Sequence, residues 1–258
     1  MKSFLCGGER PLITVLLCAT TVDGLLTEIE NAKAQGADAF GLMIEKLKKE
    51  IRTEENFTKL ISAMGDKPCY VTCYKRWDVE EESEEERCGY ILLALKCGAV
   101  LADVRADLFD AKDGEFSMDK LAVKKQKEFI KRIREMGKEI LISTHAVYDG
   151  EFKFLPKNQV LKIALEQQKR GADIAKIVTN ADSEEELMEN FEAITLCRKK
   201  VKIPVIFLCN GDKCLRHRFA CGLISEPMIF AKEKNYCSEN SAQPSVENVY
   251  KLFLETFG

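Results

Sequence analysis

Short apolar runs alternate with amphipathic stretches along this chain, and the alternation repeats eight times. The runs lie at Ile13 to Cys18, Ala39 to Ile44, Cys69 to Tyr74, Val100 to Val104, Glu139 to Ser143, Ile174 to Thr179, Pro204 to Leu208 and Met228 to Ala231. Between them the apolar period turns helical: Phe57, Leu60, Ile61 and Met64 fall at i, i+3, i+4 and i+7, and Leu187, Phe191 and Ile194 repeat the stripe. Ser183 followed by Glu186 reads as a capping box. Glycine stands between helix and strand at Gly36, Gly98, Gly137 and Gly171, where a helix end favours left-handed backbone. A repeated helix, glycine, strand unit means parallel strands joined by crossovers.

Eight such units in 258 residues match an α/β fold of the (β/α)8 TIM-barrel type. A doubly wound open sheet usually has fewer strands and a glycine-rich first turn, whereas Cys18-Ala-Thr-Thr-Val-Asp contains no G-x-G-x-x-G. With no low-complexity linker, residues 1–258 read as a single barrel domain. Residues 1–11 form a short N-terminal extension, expected to make a hairpin over the barrel bottom, and the glutamate-rich residues 75–86 a polar loop after the third strand.

A hydrophobic fraction of 46% and a net charge of -3 describe an ordinary globular chain with no electrostatic case for nucleic acid or an anionic membrane surface. No segment approaches the roughly 20 apolar residues of a membrane span. The eleven cysteines are odd in number and follow no secretory signal, so free thiols in a reducing cytoplasm are expected. Cys69 with Cys73 and Cys209 with Cys214 lack zinc-knuckle spacing, and only His145 and His217 offer imidazoles, so no metal or other cofactor is expected.

In such a barrel the working residues end the strands at their C-terminal side. Lys176 lies within Gly171-Ala-Asp-Ile-Ala-Lys-Ile, on the face it shares with Ile174 and Val178. If that face turns inward, burial disfavours the ammonium and leaves a free amine able to attack a carbonyl; the alternative is a snorkelling lysine at a frayed strand end. His145 ends the neighbouring run as Ser143-Thr-His145, suited to move a carbon-bound proton beside an iminium, or simply bonded to backbone. On the fourth run Arg105 and Asp107 share a face; Asp107 can orient the histidine or cap the next helix. The basic cluster Asn210 to Arg218 can clamp a carboxylate or form a solvated helix face.

Lysine, histidine, acid and arginine at these strand ends, together with Ser143-Thr-His145, Gly171 to Ile177, Leu215-Arg-His-Arg218 and Ala242-Gln243-Pro-Ser245-Val246, resemble type I 3-dehydroquinate dehydratase over nearly the whole chain. The resemblance implies a (β/α)8 barrel, without metal or nucleotide and commonly dimeric, in which Lys176 forms an iminium with the substrate ketone. His145 would act as general base and acid, and Asp107 would take the place of the glutamate that orients it. Arg218 and Gln243 would hold the substrate carboxylate. The chain departs from the family on the second strand, where Met43-Ile-Glu45-Lys-Leu47 replaces Glu-x-Arg-x-Asp, and on the third, where Tyr74 replaces a hydroxyl-binding arginine. A serine of the family's closing loop falls at Glu239. Glu45 and Arg105 are expected to form the family's mouth ion pair with reversed polarity.

Three functions compete at this level. The first is a lyase converting 3-dehydroquinate to 3-dehydroshikimate. The second is the same iminium chemistry, dehydration or retro-aldol, on another small hydroxy-ketone carboxylate. The third is a barrel that binds a carboxylate without turnover.

Overall fold

A computed structural model describes residues 3–5, 8–75, 82–224, 227–233 and 242–257. Strand and helix alternate through eight rounds. They are β1 (Leu12–Leu17), α1 (Val22–Ala34), β2 (Ala39–Met43), α2 (Glu54–Ala63), β3 (Cys69–Thr72), α3 (Glu84–Lys96), β4 (Leu101–Arg105), α4 (Lys120–Glu135), β5 (Glu139–His145), α5 (Lys157–Arg170), β6 (Ile174–Asn180), α6 (Glu184–Lys200), β7 (Val205–Asn210), α7 (Cys214–Ile224), β8 (Met228–Ala231) and α8 (Val246–Phe257). The sheet order is β8-β1-β2-β3-β4-β5-β6-β7, and Val147–Tyr148 pairs with Glu151–Phe152 in a separate antiparallel ribbon. Parallel registers such as Val15 with Phe40, Phe40 with Cys69 and Ser143 with Lys176 follow from the crossovers. This is the (β/α)8 barrel class. Gly171 sits at φ 102 behind α5, the left-handed stop that its place before β6 predicts.

The chain divides into two compact units, each assembled from separate segments. The first comprises Met1–Asp103, Ile133–Glu139 and Phe230–Gly258; the second comprises Val104–Arg132 and Ile140–Ile229. In the first, Ile13, Val15 and Leu17 of β1, Phe40 and Leu42 of β2, and Phe57, Leu60 and Ile61 of α2 are buried, the helical residues by the stripe read from their spacing. In the second, Ala175 and Ile177 of β6 pack with Val160, Ile163 and Ala164 of α5 and Ala193 and Ile194 of α6. That face of β6 is therefore the one turned to the helices.

Two local expectations change. The described part of residues 1–11 contains bends and no strand; instead of a hairpin, Ser3 and the Phe4 amide bond the Glu139 carboxylate. Ser183 does cap α6 by accepting from Glu186 N, but the Glu186 carboxylate accepts from Asp182 N rather than returning to its cap. The reciprocal box occurs at Ser83 and Glu86, which open α3 inside the stretch expected to be loop. Residues 76–81 of that stretch lie outside the described residues.

Candidate active site

With Ala175 and Ile177 turned to the helices, strand alternation puts Lys176 on the opposite face of β6, where it is only 6% exposed. It pairs in register with Ser143 on β5, two residues before His145, whose own register partner is Val178. Histidine thus ends β5, while the lysine lies within the adjacent strand β6, third of its seven residues.

The carboxylate on the histidine is Glu115, 2.5 Å from His145 Nδ1. Burial alone would raise the Glu115 carboxyl, but the His145 imidazole, backed by Arg105 and Lys176, holds it at about 2. Asp107 does not take the orienting place expected for it. Both its oxygens are engaged by Arg105, Oδ1 from Nε and Oδ2 from Nη2 at 2.9 Å each, and Oδ2 also accepts from Lys112 N. The reason is local: two residues apart, on one face of the extended backbone, the fork of Arg105 and the carboxylate of Asp107 meet bidentately. Burial still lifts the Asp107 carboxyl against the opposing pull of Arg105.

Arg218 is buried in α7, donating from Nε to Cys209 O at 3.0 Å and from Nη2 to Asn210 Oδ1 at 2.8 Å, which ties it to the end of β7. Its neighbour Arg216 is instead exposed and paired with Glu184. His217 belongs to the core: it stacks on Phe191, meets Phe207 edge-on, and burial pushes it down to about 3, so it stays neutral.

The first unit holds the residues of the rewritten strands. Glu45 accepts from Thr72 Oγ1 at 3.0 and 2.9 Å, and burial raises its carboxyl. Tyr74 and Tyr70 both donate to Asp103 Oδ2 at 2.5 Å, so one buried carboxylate bridges two phenols. Glu45 lies in the first unit, where Thr72 donates to it, and Arg105 in the second, where it donates to Asp107. Gln243 is buried, its Oε1 without a partner among the described residues; Lys232 N to Pro244 O and Val246 N to Lys232 O tie its segment to the end of β8. Glu239 lies outside the described residues.

Sequence reasoning missed Glu115, Asp103 and Tyr70. Tyr70 and Asp103 drew no expectation from the sequence, because a phenol and a carboxylate on neighbouring strands carry no local sign that they meet. For Glu115 the only signal was an acid in the loop after the fourth strand, on the side where such barrels work. Among the described residues no group of three or more His, Cys, Asp or Glu side chains could hold a metal, and no helix is long and apolar enough to cross a membrane.

An acid from the β4–α4 loop, with an imidazole and a buried amine on neighbouring strands, supplies the parts of a carbonyl-activating site. The chain is 28% identical over 206 residues to the 3-dehydroquinate dehydratase of Methanocaldococcus jannaschii, covering 78% of this chain and 80% of that one. It is 27% identical to the enzyme of the same name from a Geobacillus species over 108 residues, 42% of either chain. The solved 3-dehydroquinate dehydratase of Geobacillus kaustophilus shares the fold, with a TM-score of 0.80 at 20% identity over 100% of this chain and 97% of that one. The family model for type I 3-dehydroquinase matches residues 13–254, and the chain belongs to that family.

Proposed function

We propose that this chain dehydrates 3-dehydroquinate to 3-dehydroshikimate through an iminium on Lys176. The observation that carries the reading is the buried Lys176, on the face of β6 turned from the helices, beside the strand that ends in the Glu115-bound His145. The amine adds to the substrate ketone and the carbinolamine loses water to give the iminium. His145 then takes a proton from the adjacent carbon, and the electron pair moves into the iminium to form an enamine. The enamine expels the hydroxyl one carbon further on, which leaves as water with the proton from His145. Water finally hydrolyses the conjugated iminium, releasing the enone and the free amine. Arg218 and Gln243 bind the substrate carboxylate in this scheme, while Glu45, Arg105 and Tyr74, with Glu239, serve the rest of the substrate. The enzyme works as a single domain, in the cytoplasm, as a homodimer.

Borohydride reduction in the presence of 3-dehydroquinate, followed by peptide mass analysis, tests the first step. The expected result is an adduct on Lys176, absent from Lys176→Met, with kcat of that variant reduced by more than about 10⁴-fold and the fold unchanged by circular dichroism. An adduct retained in Lys176→Met would move the nucleophile elsewhere. A second reading, the same chemistry on another hydroxy-ketone acid, is favoured by the Tyr70–Asp103–Tyr74 cluster and Glu45, which stand where the family resemblance calls for guanidinium groups. Trapping with other hydroxy-ketone acids but not with 3-dehydroquinate would select it, and trapping with none would leave a carboxylate-binding barrel.

A further inference from the structure

Arg170 ends α5 and is 2% exposed, far from the usual setting of an arginine. Its Nη1 donates to Ala106 O at 2.8 Å and to Gln126 Oε1 at 3.3 Å, its Nη2 to Ser117 O at 2.5 Å, and its Nε to Glu166 Oε1 at 3.1 Å. The guanidinium also lies over the Phe116 ring, 5.2 Å from its centroid. Ala106 and Ser117 are the two ends of the loop between β4 and α4, and Ser117 N donates to Ala106 O across the same neck. One buried cation therefore closes the loop at both ends and packs on the residue next to Glu115.

Inside the loop the backbone is held in unusual conformations. Phe109 and Glu115 have φ of 70 and 44, left-handed values that residues with a Cβ rarely adopt. Gly114, at φ 74, backs so closely onto Tyr148 that an added Cβ would fall 2.4 Å from the phenol oxygen. Such strain persists only where the surroundings over-determine it. The side chain that this strained, clamped turn presents is the Glu115 carboxylate, set on His145 Nδ1.

We propose that Arg170 is a remote positioning residue of the dehydration: by clamping the β4–α4 loop it holds Glu115 on His145 Nδ1, fixing the imidazole in one tautomer with Nε2 as the proton-moving atom. The inference rests on the function proposed above. Glu115 from the loop sits on the imidazole, and Arg105 of β4 and Lys176 of β6 act on the same carboxylate. Without the Glu115 carboxylate, the protonated imidazole keeps its cationic neighbours and loses its anion. Protonation of His145 then becomes harder, and the acidic limb of the pH profile moves to lower pH.

Glu115→Gln is expected to lower kcat about 10- to 100-fold with KM nearly constant, a part of the 10²- to 10⁴-fold that a positioned acid-base group supplies. The acidic limb moves down, and Lys176 is still trapped by borohydride. Arg170→Met reproduces both changes although Glu115 is intact, Arg170→Lys restores part of the rate, and the double variant is no slower than Glu115→Gln. A folded Arg170→Met with wild-type kcat and an unmoved limb overturns the clamp. NMR titration of the imidazoles decides the point without turnover, because the chain has two histidines and His217 is buried and neutral. A fall in the His145 midpoint in both Glu115→Gln and Arg170→Lys supports the clamp; an unmoved midpoint in both overturns it. Failure of the dehydratase reading looks different, with no adduct and no turnover in the wild type.

Discussion

Acids of the two compact units are met by different mixtures of donors. In the second unit guanidinium and imidazole groups face the acids: Glu115 takes His145, Asp107 takes Arg105 and Glu166 takes Arg170. In the first, beside the nearly buried Arg52–Glu82 pair, three acids also accept from neutral donors: Asp103 from two phenols, Glu45 from Thr72, and Glu28 from the amides of Cys18 and Ala19. The extremes follow the difference, with Glu115 held at about 2 beside His145 while burial lifts Glu28 to about 7. Burial raises a carboxyl in either unit, and a cationic partner opposes that rise without always reversing it, since Asp107 stays raised beside Arg105. What differs is the individual environment: Glu115, set on an imidazole, stays ionised at neutral pH, whereas Glu28, held by amides, takes up a proton as neutrality is approached from above.

Breaking the strongest pair gives the largest effect. Asp107→Ala takes the bidentate carboxylate from the buried Arg105 and is expected to destabilise the fold by about 3 to 5 kcal/mol in urea titrations, whereas replacing both residues by apolar ones recovers most of that loss. A single-variant loss below about 1 kcal/mol would show that charge pairing does not distinguish this unit. Next comes the phenol pair. Tyr70→Phe removes a fully buried donor to a carboxylate and should cost about 1.5 to 3 kcal/mol. Tyr74→Phe, at a partly exposed site, should cost about 1 kcal/mol or less and act mainly on KM if the phenol meets substrate. Equal stability losses from the two would erase the distinction between scaffold and pocket.

The smallest effect sharpens the contrast in pH. The folded chain holds the Glu28 proton more tightly than the unfolded one between about 4.5 and about 7, so this residue makes stability decline as pH rises through that window. The slope is at most about 1.4 kcal/mol per pH unit. Glu28→Gln keeps an oxygen for the two amides and should flatten the decline, read from urea midpoints at about pH 5 and about pH 8. An unchanged slope would place the titration elsewhere.

Much of the fold was legible because strand and helix periods are local. The run at 228–231 matches β8 residue for residue, and the other seven differ by a few residues at their ends, where hydrogen-bond pairing rather than hydropathy sets the limit. Lys176 and His145 were legible for the same reason: alternation specifies a face, and chain order in a βα repeat specifies the neighbouring strand. Asp107 misled because the same alternation that put it on the face of Arg105 also let the two residues consume each other.

By itself, then, the chain's order of residues determined eight βα units and put a lysine and an imidazole on adjacent strands, since each follows from periodicity within a few neighbours; that the lysine's face turns away from the helices waited on the packing of Ala175 and Ile177. Tertiary structure alone decided which acid serves the imidazole. Glu115 reaches His145 through a left-handed turn closed by Arg170, more than fifty residues along the chain. No local pattern encodes a partnership whose energy depends on backbone strain in one segment being repaid by a guanidinium from another.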